Sequence, residues 1–235
     1  EGIGDLLAEG TMRAAEELGD GAEEFAVHVK GQELPMHEPR LKRALGLGYS
    51  VSPTGADHCH NIHDTMLARG VGRLNPFGIL EPVSVESLGP EKVRVYKYWT
   101  EMRLLVNCLS ICLFPPWGFT EYVDLVRAVT GWDVTIYELA KVAQRTLNLA
   151  RIFNIREGLT SADDWLPPRF FKPQTSGALS ETAVNPTELR RAIDTYYEMM
   201  GWNSGGVPRP GTLHELGVGW AVDYLPGREL EKLIV

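Results

Sequence analysis

Histidine is the side chain whose charge changes closest to neutral pH, and three of this protein's six histidines fall within the fifteen residues Ser50–Asp64, SVSPTGADHCHNIHD. The same stretch carries Asp57, Asp64 and Cys59, the last being one of only three cysteines. Side chains of these types bind metals or move protons. The Pro53-Thr54-Gly55 sequence reads as a turn that delivers Asp57 and His58 to the next segment, and polar groups presented from turns are more often functional than those inside regular elements. His58, His60 and His63 are related by i+2 and i+5, spacings that do not stack side chains on one helical face. The zinc-protease pattern, two histidines at i, i+4 with an intervening glutamate, is absent. An extended segment would place His58 and His60 on one face, so a zinc-dependent hydrolase built on Asp57, His58, His60 and His63 stays open as one reading. Taken singly, each histidine also fits a surface or hydrogen-bonded core position.

A second group is Asn107-Cys-Leu-Ser-Ile-Cys112. Cys108 and Cys112 stand four apart, so a helix through both would turn the thiols one way. Two thiols are half of a structural zinc or iron–sulfur site. Packing is the plainer reading, because free cysteine is among the most buried residue types and this run is apolar. Phe114-Pro-Pro-Trp117 then stops the helix and leaves Cys112 near its C-terminal end.

The elements that position these residues are mostly helical. Leu6, Leu7, Met12, Ala14, Ala15 and Leu18 recur at helical spacing before Gly19. Lys92 to about Leu113 is a long apolar-rich helix opened by Gly89-Pro90. Thr120–Val129 is short and amphipathic. Thr135-Ile-Tyr-Glu138 is a capping box for a helix running to about Arg156, with Leu139, Ala140, Ala143 and Leu147 on its inward stripe. Asn185-Pro-Thr-Glu188 starts another that stops at Gly201, and a last short helix covers Gly227–Leu233. Phe25–Val29 alternates weakly and is the one candidate strand; residues 157–184 form a long irregular connection. The expected fold is all-α, with little or no sheet. It divides into a helical part over 1–116, carrying the histidine cluster and Cys112, and a second over 117–235.

Composition bounds the partners. At 235 residues and 44% apolar content the chain is an ordinary globular one. Its net charge of −8, with no basic run, argues against nucleic acid or an anionic membrane. No stretch approaches the roughly 18 apolar residues a membrane span needs. Three cysteines cannot all pair within one chain, which favours a reducing, cytoplasmic setting. The chain opens EGIGDLLAEG, without an initiator methionine or targeting signal. It is expected to be part of a longer polypeptide.

Arg151-Ile-Phe-Asn-Ile-Arg-Glu-Gly158, Asp164-Trp-Leu-Pro-Pro-Arg-Phe-Phe171 and Tyr196-Tyr-Glu-Met-Met-Gly-Trp202 resemble the helical C-terminal part of the aldehyde:ferredoxin oxidoreductases. The likeness runs in order from Asp5-Leu-Leu-Ala-Glu-Gly10 through Val29-Lys-Gly-Gln-Glu-Leu-Pro35 to Gly206-Val-Pro208. These are tungsten enzymes whose metal is held by two pterins. The resemblance implies a tungsten (or molybdenum) bis-pterin centre and a four-iron four-sulfur cluster, both completed by an N-terminal pterin-binding domain outside this chain. It implies aldehyde oxidation with electrons passed to ferredoxin, and an isolated fragment that is inactive. A family member acting on another substrate, such as an aromatic thioester, and a homodimer stay open.

Asn107–Cys112 occupies the place of the family's Asp-x-x-Gly-Leu-Cys motif. Cys112 then resembles the fourth cluster ligand, with Asn107, Ser110 and Ile111 departing from the aspartate, glycine and leucine beside the pterin. Gly55-Ala-Asp-His58 resembles the segment that sets a histidine beside the tungsten, making His58 the proton donor or acceptor and Asp57 a cofactor contact. His37 stands where relatives often carry tyrosine near the substrate, and a surface-loop histidine is the competing reading.

Overall fold

Local capping explains two of the long helices. In this computed structural model, which describes residues 2–59 and 61–227, the Thr135 N–H donates to Glu138 Oε2 at 2.7 Å and the reciprocal half of the capping box is also formed. That box opens α7, Ile136–Arg156. Asn185 Oδ1 accepts from the N–H groups of Thr187 and Glu188 at 2.9 and 3.2 Å, with Pro186 preset for the first turn of α8, Pro186–Met199. Between them in space lies α5, Pro90–Cys108, which packs along both. Helix α6, Phe119–Thr130, closes on α7. The described residues are mostly helical, and their sheet is one two-stranded antiparallel hairpin, β1 (His28–Val29) with β2 (Gln32–Glu33). The long connection 157–184 is irregular apart from a 3-10 turn at Pro168–Phe171. The apolar core runs continuously from Val29 to Trp202, so residues on both sides of position 116 share it.

Several boundaries differ from the expectation. The first periodic run is two helices, α1 (Ile3–Ala8) and α2 (Thr11–Leu18), because Gly10 adopts a φ of 87° and Glu33 accepts the free Thr11 N–H at 2.7 Å. The expected strand over 25–29 shrinks to His28–Val29. Helix α9, Pro210–Glu215, follows Pro208 and opens on Pro210, a residue preset for a first helical turn. The expected last helix lies, beyond Gly227, outside the described residues, as does His60. No helix among the described residues is long and apolar enough to cross a membrane.

One helix carries no warning in the sequence. Helix α3, Arg43–Val51, holds two glycines and is buried from Ala44 to Val51, so it shows no amphipathic period. It is held from its ends. The buried Asp64 carboxylate accepts the N–H groups of Ala44 and Leu45, both at 3.1 Å, and pairs with Lys92 at 3.0 Å. At the other end Lys30 Nζ donates to the carbonyls of Ser50 and Ser52, the latter at 3.0 Å. Negative charge at the N-terminus and positive charge at the C-terminus oppose the helix dipole in the favourable sense. Helix α4, Asp64–Leu67, is the turn that places the capping carboxylate.

Candidate functional site

The loop 52–63 leaves the C-terminal end of α3, and two glycines let it lie close. Gly55 has a φ of 73°, and a Cβ there would sit 2.1 Å from the Val29 carbonyl oxygen. A Cβ on Gly48 would sit 1.8 Å from Asn61 Oδ1, so the bare α3 backbone makes room for the Asn61 side chain. Asn61 Nδ2 donates to the Asp57 carbonyl at 3.3 Å, while Trp99 Nε1 and Arg103 of α5 donate to the carbonyls of Asn61 and Cys59 at 3.1 and 3.2 Å. Trp99, Arg103 and Asn107 stand four apart and share one face of α5. The loop and Asn107 therefore lie along the same side of that helix.

Within this frame three imidazoles meet. Ring centroids are 4.9 Å apart for His37 and His58, 4.5 Å for His37 and His63, and 6.0 Å for His58 and His63. Lys42, one residue before α3, reaches Nδ1 of His37 at 3.3 Å and Nδ1 of His63 at 3.2 Å. An ammonium only donates, so both contacts require Nδ1 lone pairs and put the imidazole protons on Nε2. Burial, and then the Lys42 charge, depress the pKa of both rings, that of His63 to about 4. Lys42 is itself pushed down by burial. Two neutral imidazoles thus lie near His58, their Nδ1 lone pairs engaged by Lys42 and their Nε2–H groups left as donors.

The same charge bears on the zinc reading. A metal at His37 or His63 Nδ1 would have to displace the Lys42 ammonium from those lone pairs. Among the described residues the group that could hold an ion is instead Asp57, His58 and Cys59, whose ligand atoms lie within 4.8 Å of one another. Asp57 Oδ1 already accepts the Cys59 N–H at 2.6 Å, and burial, then Asp57, push the Cys59 thiol pKa up. A thiol held protonated is a poor ligand.

The second group does not lie on one helix. α5 ends at Cys108, short of Leu113, through a Schellman motif: Ser110 N–H bonds the Asn107 carbonyl at 3.0 Å and Ile111 N–H the Val106 carbonyl at 3.1 Å. Ser110 takes the left-handed position of that motif with φ 55°, where glycine is the usual occupant. The Asp-x-x-Gly pattern of the resembled family and this serine thus meet at a backbone requirement. Cys112 follows in the loop, exposed, and Phe114 beyond it is 94% exposed. Asn107 and Ser110 are exposed and Ile111 half-buried against the core. Cys108, expected to be packing, is exposed at the end of α5 with its sulfur 3.4 Å from Thr146 Oγ1 of α7.

The longest resembling motifs meet elsewhere, in the interior. Asp164 pairs with Lys30 at 2.7 Å and with Arg151 at 2.8 Å, and accepts the Tyr197 hydroxyl. Arg151 Nε donates to the Gly206 carbonyl at 2.8 Å. Gly206 has φ 72°, and a Cβ there would meet the Arg151 guanidinium at 2.3 Å. These residues hold the fold together and leave the open face to others. Sequence reasoning passed over Lys42, because nothing in its spacing marks it, and assigned His63 no role beyond the zinc reading.

Residues 1–218 match the family described as aldehyde ferredoxin oxidoreductase, domains 2 & 3. A tungsten-containing aldehyde ferredoxin oxidoreductase of Pyrococcus furiosus is 32% identical over 222 residues, 93% of this chain and 34% of that protein. An aliphatic sulfonate oxidoreductase, WOR-like subunit, of the same organism is 31% identical over 236 residues, covering 94% of this chain and 33% of its own length. The chain therefore spans about a third of the curated relatives it matches. Among solved structures, the active site complex BamBC of benzoyl coenzyme A reductase in complex with 1,5-dienoyl-CoA superposes with a TM-score of 0.68 at 24% identity, over 100% of this chain and 38% of that one. At that identity the match establishes a shared fold.

Proposed function

This chain belongs to the aldehyde ferredoxin oxidoreductase family, over its domains 2 and 3, and on that premise we propose that it forms one wall of a tungsten- or molybdenum-pterin active site that oxidises aldehydes to carboxylic acids and passes the electrons to ferredoxin. The residues present suit those groups. Cys112 offers an exposed thiol just past the helix whose last turn carries the exposed amide of Asn107, and Phe114, two residues on, is uncovered. Cys112 would hold one iron of a four-iron cluster, and Asn107, Ser110, Ile111 and Asp57 would lie toward a pterin. A single thiolate leaves the other irons to ligands outside these residues. When bound, the metal–pterin centre and cluster supply the two-electron chemistry.

The work of this chain is with protons. Converting an aldehyde and water to an acid releases two protons along with two electrons. His58 is the group that takes or gives a proton at the substrate carbonyl, a role an imidazole can fill. His37, its ring centroid 4.9 Å away, and His63 beyond it are kept neutral, with Nδ1 taken by Lys42, so they leave the proton with His58 and can themselves only donate through Nε2–H. Lys42 fixes which nitrogen of each donates. The observation that carries this reading is the convergence of His37, His58 and His63 on the side of α5 that also bears Asn107. In the full-length protein, His58→Asn should lower aldehyde-dependent viologen reduction by about a hundredfold with tungsten and iron content retained. Cys112→Ser should lose cluster iron and its electron paramagnetic resonance signal. Undiminished turnover in His58→Asn, or a full-length protein containing neither tungsten nor molybdenum, overturns the reading.

A further inference from the structure

His37 belongs to two places at once. Its ring meets His58 and His63, and the same residue lines an open cleft of about 630 Å³. That volume is ample for a small organic ligand. The cleft is bounded by the loop after β2, including Met36, and by the 3-10 turn Pro168–Phe171 with the segment that follows it. Its charge opposes that of the protein. The chain carries −8 overall, yet the cleft is lined by Arg40, Arg169 and Lys172 against the single carboxylate of Glu38.

The cations divide by role. Arg40 is buried and spent on structure: its Nε donates to the Lys172 carbonyl at 2.7 Å, its NH2 to the Arg169 carbonyl, and its NH1 to Glu38 at 2.9 Å, while its guanidinium lies 5.1 Å from the centroid of the Phe170 ring. Gln174 donates to the same Glu38 carboxylate at 3.0 Å. Arg40 therefore fixes the backbone at the two positions whose side chains, Arg169 and Lys172, also line the cleft. Both those side chains are exposed, and neither has an ion-pair partner among the described residues. Two unneutralised cations, set on a braced turn at the edge of a partly apolar cleft, form a seat for an oxoanion on an otherwise acidic protein. Met36 and Phe170 add apolar surface to the lining that holds both these cations and His37.

We propose that this cleft receives the tail of the substrate and selects carbonyl compounds that bear an anionic group, with the carbonyl toward His37 and the oxoanion against Arg169 and Lys172. The assignment of the carbonyl rests on the reaction proposed above; the anion seat does not. In the full-length holoenzyme, kcat/KM for 6-oxohexanoate should exceed that for hexanal by about tenfold or more, as befits charge-assisted hydrogen bonds, and the preference should shrink with added salt. The double variant Arg169→Gln/Lys172→Gln should erase the preference through KM. Its backbone carbonyls still serve Arg40, so the turn is retained. A wild-type ratio of one or less, or a preference that survives in the double variant, overturns the proposal.

A binding measurement separates this failure from failure of the redox reading. Hexanoate, hexanesulfonate and hexyl phosphate are titrated calorimetrically into the holoenzyme, with hexanol as the neutral control. Binding of any of the anions that the double variant loses supports the seat even if no aldehyde is turned over, and the tightest of the three identifies the oxoanion. Equal binding of hexanol, or binding unchanged in the double variant, overturns it.

Discussion

The cluster around Asp164 and the cluster around His58 are both assembled from cations, carboxylates and aromatic rings drawn from distant parts of the chain. Around Asp164 the carboxylate meets Lys30, Arg151 and Tyr197 in the interior, and Lys30 and Arg151 go on to bond backbone carbonyls. Around His58 the rings are partly exposed, two are held neutral, and the nearest cation, Lys42, is a donor with no carboxylate between. The first arrangement spends its hydrogen-bonding capacity inward and can only stabilise. The second is partly open and sets the Nε2–H donors of two neutral rings near the His58 imidazole, which suits it to act on a bound molecule. A long family motif therefore need not mark the reacting groups: Arg151–Gly158 and Asp164–Phe171 contribute Arg151 and Asp164 to the brace.

The sharpest way to break the contrast is to remove the interior carboxylate. Asp164→Ala strands two buried cations and should destabilise the chain by about 3–5 kcal/mol in urea unfolding, whereas His58→Ala should change stability little. Equal losses would show that the two clusters are alike in role. Next in size, Gly48→Ala places a methyl onto Asn61 and should cost about 1–3 kcal/mol; it should also disturb the ring contacts of His37, His58 and His63, visible as shifted imidazole NMR signals. Unmoved signals would disconnect α3 from the site.

Ser110→Gly should act the other way and stabilise by about 1 kcal/mol, because the left-handed position disfavours a Cβ; a loss in thermal melting would refute the strain. The smaller effects are in titration. His63 has a folded pKa near 4 against an ordinary 6.5, so the unfolded chain binds its proton first. Stability should then fall as pH drops through 6.5, level off below about 4, and fall less in His63→Gln. Lys42→Met should raise the His37 and His63 pKa values, without restoring them fully since burial is the larger cause for both. Values that stay put would deny Lys42 its role.

Legibility followed locality. The Thr135 capping box and the Asn185 cap were readable because the partner groups lie within three residues of each other. α3 was not, because its caps, Asp64 and Lys30, come from 19 and 20 positions away and its uniform burial erases the period. Helix α5 ends at Cys108, five residues before the Leu113 that the sequence pattern suggests, since a serine in a left-handed cap looks like an ordinary helix residue. Of the candidate site residues, the grouping of His58 with His37 depended on a loop crossing that no spacing encodes.

By itself the sequence determined the mostly helical class, the family, and the residue types offered for chemistry, because those depend on short-range pattern and on collinear motifs. Only the tertiary structure decided which of those residues share a space: that Lys30, Arg151 and Asp164 are sealed together as a brace, that Lys42 stands between two imidazoles, and that Arg169 and Lys172 face a cleft reached by His37. The reason is physical. Burial and electrostatic coupling depend on distance in space, and these partners are brought near one another by a common core built from helices far apart in the chain.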